Sequence, residues 1–300
     1  MTAVDIVFEG LLQIVITPFH ADGSIDFRSV DRLTRSVLAE GASALTVLGV
    51  SSEAAYLDEA ERRKVIEAVQ TASEDAVPIV IGISAADTAV VAERAAEAQE
   101  VGAAAVMVAP PKDVSKLTDH YAAVAASAPG LPIVLQDFPS LSQAKLEAGM
   151  LAAVTREVAT VAAIYHEDPP TPKKIDAVRT LAPDIPQIGG LGGLWLPWEL
   201  RAGATAVMTG FAFPEFMAAT VRAALAGDWA SVFETHDLAL PLIVWEAQPG
   251  VGLANRKAML VERGLIETAA LRQPIVPLAS TAADAADLAS ALAHRRERAA

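Results

Sequence analysis

The chain has 300 residues, of which 53% are hydrophobic, so it is long enough for one large globular domain or two small ones. Its 37 acidic and 23 basic side chains give a formal net charge of -14, which disfavours binding to nucleic acid and to anionic membranes. The absence of cysteine excludes disulfides, thiolate nucleophiles and cysteine-ligated metals. The first ten residues contain no basic segment, and no apolar run approaches the roughly 18 residues of a membrane span. We therefore expect a cytoplasmic protein.

Eight short apolar runs follow one another along the chain, and each is typical of a strand that is buried on both faces. They cover residues 11–16, 44–48, 78–83, 104–109, 132–135, 161–164, 186–188 and 206–208. Segments with helical spacing and a charged face lie between most of them, for example 58–72, 89–99, 145–154 and 172–181. Alternating strands and helices favour a parallel sheet, and eight such units predict a closed (β/α)8 TIM barrel of the α/β class.

Local signals for helix ends agree with this pattern. Asp58 and Glu61 have the spacing of a capping box, and Gly203 stands where a helix should end before the next strand. After the eighth strand the pattern contains helices only, at 214–225, 229–245, 255–264 and 282–294. We therefore predict a barrel over 1–226 and a C-terminal helical extension packed on it over 227–300.

In a barrel of this kind, the loops at the carboxyl ends of the strands carry the function. These loops contain Thr-Pro-Phe at 17–19, Gly-Val-Ser-Ser-Glu at 49–53, Gly-Gly-Leu-Gly-Gly at 189–193 and Met-Thr-Gly-Phe at 208–211. Together they resemble the dihydrodipicolinate synthase and N-acetylneuraminate lyase family of class I aldolases, over nearly the whole chain. The resemblance implies a homo-oligomer, either a tetramer or a dimer, that acts on a small carboxylate substrate without a cofactor.

The same resemblance assigns substrate-binding residues. It places the substrate carboxylate at the loop after the second strand, where Ser51 and Ser52 offer hydroxyl and backbone N–H groups. Without the resemblance, an ordinary turn with side-chain-to-backbone bonds explains these two serines better. We interpret Glu53 as an anchor of the loop rather than as an acid or base. The glycine-rich and Met-Thr-Gly-Phe segments add three further candidates, Gly190, Val207 and Thr209.

Three positions depart from the family's pattern. The family has a Schiff-base lysine at the end of the sixth strand, and here the matching stretch 164–167 reads Ile-Tyr-His-Glu, so Tyr165 takes its place. A phenol cannot form an iminium with a ketone, so we expect chemistry without a Schiff base at this position. Gln136 stands where the family has a proton-relaying tyrosine. Leu141 stands where the dihydrodipicolinate synthase branch has a carboxylate-binding arginine.

One lysine is a candidate substitute for the missing amine. Lys112 follows the fourth predicted strand, although a solvent-facing loop cation is the simpler interpretation. The other six lysines fall on charged helical stretches, at Lys64, Lys116, Lys145, Lys173, Lys174 and Lys257.

The ends of the fifth and sixth strands offer groups that could replace the family's chemistry. We predict that Tyr165 transfers protons together with Lys112, Gln136 or Asp137. Because side chains alternate along a strand, an inward Tyr165 directs His166 outward, where it is more simply a histidine bonded beneath the helices. A metal held by His166 and the two acids after it is a weaker alternative, because consecutive residues rarely converge on one ion. We therefore predict no metal.

The sequence leaves two functions open. The first is a lyase or synthase that acts on a small 2-oxo-acid-like carboxylate without a Schiff base. The second is a catalytically inactive homologue that binds a small acid or serves as a scaffold subunit. A third explanation of Tyr165 is a laboratory replacement of the lysine.

Overall fold

The computed structural model describes residues 6–299. Residues 1–5 and 300, which begin the predicted range 1–226 and end the predicted range 227–300, lie outside it. Within the described residues, eight parallel strands close into a barrel in which each strand pairs with the next and β8 pairs with β1. The strands are β1 (Gly10–Ile14), β2 (Ala44–Val47), β3 (Ile79–Gly82), β4 (Ala105–Val108), β5 (Ile133–Asp137), β6 (Val161–His166), β7 (Gln187–Gly189) and β8 (Ala206–Thr209). The predicted (β/α)8 barrel is confirmed, and each strand overlaps one of the eight apolar runs.

Helices connect the strands and form the outer layer of the barrel. They are α1 (Phe27–Ala39), α2 (Glu59–Ser73), α3 (Thr88–Glu100), α4 (Leu117–Ser127), α5 (Pro139–Ser142), α6 (Ala148–Glu157), α7 (Thr171–Leu181), α8 (Leu196–Ala202) and α9 (Pro214–Leu225). After them come α10 (Trp229–Glu246), α11 (Gly252–Glu262) and α12 (Thr281–Ala299). None of the helices in residues 6–299 has the length and apolar character needed to span a membrane.

Two of the predicted helix ends are present. The Asp58 carboxylate accepts from the Glu61 backbone N–H at 2.8 Å, and the Glu61 carboxylate accepts from the Asp58 N–H at 3.1 Å. This is the predicted capping box at the start of α2. Gly203 ends α8 with a φ of +115°, a left-handed conformation that favours glycine.

Alternation along the strands separates two hydrophobic clusters. The inner cluster, enclosed by the strands, includes Val134 of β5, Tyr165 of β6 and Met208 of β8. The outer cluster fills the space between the strands and the helices and includes Ile164. His166 is fully buried outside the inner cluster, and its Nε2 lies 2.6 Å from Gln187 Oε1. The predicted orientations of Tyr165 and His166 are therefore confirmed.

The C-terminal helices pack onto the barrel and reach its loops. Lys257 of α11 is fully buried, and its Nζ donates to Glu53 Oε1 at 2.6 Å and to the Ala270 carbonyl at 2.8 Å. Lys257 lies on a helical stretch, as the sequence predicts, but its charge is neutralised inside the protein by Glu53. Glu53 is the loop anchor that the sequence predicts. The pair fixes the loop after β2 to the C-terminal extension.

Candidate active site

The carboxyl ends of the strands surround an open cavity. It has a volume of about 440 Å³ and is lined by residues at the ends of β2 to β5, among them Gly49, Gly82, Met107 and Gln136. A cavity of this size accepts a small molecule. Another cavity, of about 300 Å³, lies in the helix layer between α2 and α3 and is lined by none of the predicted site residues.

Tyr165 lies at the inner end of β6. It is 2% exposed, and its hydroxyl donates to the Met208 carbonyl at 3.0 Å. The hydroxyl is also within hydrogen-bonding reach of the Glu167 carboxylate. Burial, together with the charge of Glu167, raises the pKa of Tyr165 well above its ordinary value of 10.0. The side chain is therefore a neutral phenol that can donate a hydrogen bond.

Glu167 joins Tyr165 to Gln136. Its Oε2 accepts from Gln136 Nε2 at 2.8 Å. Burial of the carboxyl group raises the pKa of Glu167 to about 7, against the opposing hydrogen bonds from Gln136 and Tyr165. Near neutral pH both protonation states are populated, as a general acid or base requires.

Glu167 was not among the predicted catalytic residues, although the sequence contains a signal for it. It follows Tyr165 by two positions, and residues two apart share one face of an extended chain. An inward Tyr165 therefore implies an inward Glu167.

Gly190, after β7, lies directly against these two side chains. A methyl group at this position would meet the His166 carbonyl, and would lie 2.8 Å from Glu167 Cγ and 3.0 Å from Tyr165 Cε2. The glycine is required because the backbone approaches the side chains closely. Gly190 therefore shapes the wall beside Tyr165.

The two serines after β2 have different surroundings. Ser51 Oγ accepts from Arg256 Nη1 at 3.2 Å and lies in a partly buried position. The Ser52 hydroxyl is fully buried and donates to the Val15 carbonyl at 2.6 Å, while its backbone N–H donates to the Gly49 carbonyl. Both donors of Ser52 are thus used within the fold. The prediction that Ser52 binds the substrate is corrected, and Ser51 remains a candidate.

Arg256 reaches Ser51 from helix α11 of the C-terminal extension. The residue is 8% exposed, and its Nε donates to Glu246 Oε2 at 2.7 Å. Glu246 is buried as well and accepts from the Ala212 N–H at 3.2 Å. Sequence reasoning missed Arg256, because it lies 205 positions from Ser51 and no local pattern announces the contact.

Asp137 and Lys112 are not brought together with Tyr165. Asp137 is fully buried on the outward side of β5, where Lys174 Nζ of α7 lies 2.6 Å from its Oδ2. Burial raises the pKa of Asp137 to about 6, despite the opposing charge of Lys174. Lys112 lies exposed in the loop after β4. Neither Asp137 nor Lys112 contacts Tyr165, so neither is placed for its predicted catalytic role.

Two of the predicted binding residues on β8 also face away from the inner cluster. The Val207 side chain is fully buried in the outer cluster, where it packs between strands and helices. Thr209 is 2% exposed, and its Oγ1 accepts from the Phe211 N–H at 3.0 Å. Alternation along β8 directs Met208 inward and both neighbours outward. The side chains of Val207 and Thr209 are therefore used within the fold, and contact of these two residues with a substrate stays a prediction.

One group of side chains in the described residues has the spacing of a metal site. Single ligand atoms of His20, Asp26 and Glu267 lie within 4.8 Å of one another. Both oxygens of Asp26 already accept hydrogen bonds from Ser29. The group shares no residue with the contacts around Tyr165.

The profile of the Dihydrodipicolinate synthetase family matches residues 7–292 of the chain. The chain belongs to this family. Two relatives in the family illustrate the range of names within it. The 4-hydroxy-tetrahydrodipicolinate synthase of Parabacteroides distasonis is 30% identical, over 91% of this chain and 93% of the relative. The L-2-keto-3-deoxyarabonate dehydratase of Azospirillum brasilense is also 30% identical, over 90% of this chain and 89% of the relative.

Solved structures of the Dihydrodipicolinate synthetase family have the same architecture. The dihydrodipicolinate synthase of Rhodopseudomonas palustris superposes with a TM-score of 0.89 at 32% identity, over 97% of this chain and 99% of that one. The family therefore accounts for both the barrel and the C-terminal helices. The relatives named above carry synthase and dehydratase names.

Proposed function

We propose that the protein is a lyase or synthase that acts on a small 2-oxo-acid-like carboxylate without forming a Schiff base at position 165. The observation that carries the proposal is the phenol of Tyr165, which replaces the family's lysine in the resemblance and lies beside Glu167 at the inner end of the barrel. A phenol supports hydrogen bonding and proton transfer but not imine formation.

The positions of the lysines support this proposal. All seven lie within the part of the chain that the structure describes, and none of them takes part in the hydrogen bonds of Tyr165, Glu167 and Gln136. Lys257 is buried in its pair with Glu53, and Lys174 lies between Asp137 and Asp168 on the outward side. Lys112 is exposed. No lysine amine is therefore placed to replace the missing nucleophile.

The proposed chemical step is enolisation of the substrate. Ionised Glu167 accepts a proton from the carbon next to the carbonyl, the electron pair of that C–H bond forms a C=C bond, and the π electron pair of the carbonyl moves to its oxygen. Tyr165 exchanges its hydrogen bond with the Met208 carbonyl for one with the resulting enolate oxygen, which stabilises the developing charge. Return of the proton from Glu167 to carbon reverses the step. Gln136 orients Glu167 through its amide hydrogen bond.

Two measurements on pyruvate test the proposal. Exchange of the methyl protons in D₂O, followed by NMR, reports enolisation. Borohydride treatment of the same mixture, followed by intact mass, reports any imine. We expect exchange catalysed by the native protein and no reduced adduct.

The outcomes separate the open alternatives. A borohydride-trapped adduct on the native protein would contradict the imine-free route. Absence of exchange with pyruvate and with longer 2-oxo acids would favour the inactive homologue, a binder of small acids or a scaffold subunit. The Tyr165→Lys variant is the positive control for trapping, since it places an amine where the family has one.

The proposal also includes assembly and location. The proposal of a homo-oligomer, either a tetramer or a dimer, rests on the family resemblance, and the cytoplasmic location stays the expectation drawn from the sequence. Light scattering coupled to size-exclusion chromatography measures the number of subunits directly.

A further inference from the structure

We infer that Arg256 and the Ser51 hydroxyl together form the carboxylate-binding point of this protein, so that a helix of the C-terminal extension supplies the charge that holds the substrate. The inference rests on the proposed function for the identity of the substrate class. The inference goes beyond the proposed function because it gives a role to Arg256 and to helix α11, which have none in the proposed step.

The guanidinium of Arg256 makes hydrogen bonds through Nε and Nη1, whereas its Nη2 makes none in the described residues. Nε donates to Glu246 Oε2 at 2.7 Å and Nη1 donates to Ser51 Oγ at 3.2 Å. Nη2 has no hydrogen-bond partner within residues 6–299, although the residue is only 8% exposed. A buried guanidinium with unused N–H donors can bind an anion by donating hydrogen bonds to it.

Glycines keep the space beside this edge free. A methyl group at Gly210 would lie 3.3 Å from Arg256 Nη1, and one at Gly192 would lie 3.9 Å from Nη2. Side chains at these two positions would occupy the volume next to the guanidinium. Glycine at both positions therefore keeps side-chain atoms away from this edge of the guanidinium.

Ser51 contributes a second donor to the same point. Its oxygen accepts from Arg256, so its own hydroxyl hydrogen remains available to donate. A carboxylate oxygen can therefore receive hydrogen bonds from both Nη2 and the serine. Planar guanidinium geometry matches a carboxylate better than a lysine ammonium would.

The charge of Arg256 also acts on the reacting pair. Burial is the main influence on Tyr165 and Glu167 and raises the pKa of both groups, and the positive charge of Arg256 opposes this rise in each case. Geometry agrees, because Gly192 lies beside Arg256 Nη2 and Gly190, two residues earlier in the loop after β7, lies beside Tyr165 and Glu167. A 2-oxo acid bound through its carboxylate at Arg256 would present its adjacent carbonyl towards Tyr165.

Calorimetric binding of pyruvate and of its neutral amide, pyruvamide, tests the inference. Arg256→Gln alone would leave the buried Glu246 unpaired and could prevent folding. The Arg256→Gln/Glu246→Gln double variant removes both charges together and is the main test. Ser51→Ala removes only the hydroxyl, and Arg263→Gln removes the same charge from the end of the same helix, where it pairs with Glu40.

We expect the double variant to bind pyruvate about ten- to a hundredfold more weakly, the effect of losing a charged hydrogen-bond donor. Pyruvamide affinity should change little, and the Arg263→Gln control should match the native protein. Ser51→Ala should weaken pyruvate binding by a smaller factor.

Unchanged pyruvate affinity in the double variant, or an equal loss for pyruvate and pyruvamide, would overturn the inference. So would failure of the native protein to bind pyruvate at tens of millimolar. These readouts measure binding alone. A borohydride adduct would overturn the imine-free mechanism. The role of Arg256 would still be decided by the binding measurements.

Discussion

Lys257 Nζ lies 2.6 Å from Glu53 Oε1, and neither side chain is exposed to solvent. The two residues are 204 positions apart in the chain. Glu53 Oε2 also accepts from the backbone N–H groups of Arg272 and Gln273, at 2.8 and 2.6 Å. One carboxylate thus connects the loop after β2, helix α11 and the segment after it.

Breaking this pair should destabilise the protein strongly. Lys257→Met leaves the buried Glu53 charge without its ion-pair partner, which costs about 3–5 kcal/mol. Chemical denaturation should show this as a lower free energy of unfolding. In the Lys257→Met/Glu53→Gln double variant both charges are absent, and we expect much of the loss to be recovered. Equal stability of the single and double variants would show that the charge imbalance is not the cause.

Tyr165→Phe should reduce turnover while leaving substrate affinity nearly unchanged. The ring and its packing in the inner cluster remain, and only the hydroxyl that donates to the enolate is removed. Loss of one such donor lowers the rate by about a hundred- to a thousandfold. Steady-state kinetics or the deuterium-exchange rate provides the measurement. A parallel loss of binding would instead indicate that the hydroxyl holds the substrate in its ground state.

The exchange rate should depend on pH through Glu167. Because the group acts as a base when ionised and its pKa is about 7, the rate should rise as the pH increases through about 7 and then level off. Glu167→Gln should abolish most of the exchange. A rate that falls across the same interval would show that the protonated acid is the active form.

Gly190→Ala should disturb the site where the loop after β7 meets the end of β6. The added methyl group would overlap the His166 carbonyl and would be only 2.8 Å from Glu167 Cγ and 3.0 Å from Tyr165 Cε2, so the local backbone must move together with these side chains. We expect loss of exchange activity with a folded circular-dichroism spectrum. Gly149→Ala in α6 is the matched control, because nothing lies within 4 Å of the added carbon. Similar behaviour of the two variants would contradict the argument.

Glu199 should make stability depend on pH. It is a fully buried residue of α8 to which Thr171 Oγ1 donates, and burial raises its pKa from 4.5 to about 8. Its stabilising contribution is complete below about pH 4.5, in the protonated form, and is lost as the pH rises through about 8. Glu199→Gln keeps a neutral side chain, so its stability relative to the native protein should increase with pH. A constant difference would rule out titration of Glu199 in this range.

Much of the barrel could be predicted from the sequence because its signals are local. A continuously apolar run such as 104–109 reports a strand covered on both faces, and Asp58 with Glu61 reports the start of a helix. Alternation correctly placed Tyr165 inward and His166 outward. The same rule, applied two residues further, would have included Glu167.

The rest of the site depends on contacts between distant segments. Nothing near Arg256 or Lys257 in the sequence distinguishes them from residues on a charged helical surface, yet both are buried by packing against the loop after β2. Ser52 shows the opposite case. Its hydroxyl suggests a ligand contact in the sequence, but in the structure it donates to the Val15 carbonyl. Such assignments require knowledge of what each side chain meets in three dimensions.

The origin of Arg256 in α11 has a consequence for the order in which the protein is made. Synthesis runs from the N-terminus, so a nascent chain that ends just after Thr209 already contains all eight strands, Ser51, Tyr165 and Glu167. It contains neither Arg256 nor the Lys257 contact that fixes Glu53. The ribosome therefore completes the eight strands before it adds the residue that we propose to hold the substrate, and a chain that ends before Arg256 would lack that charge.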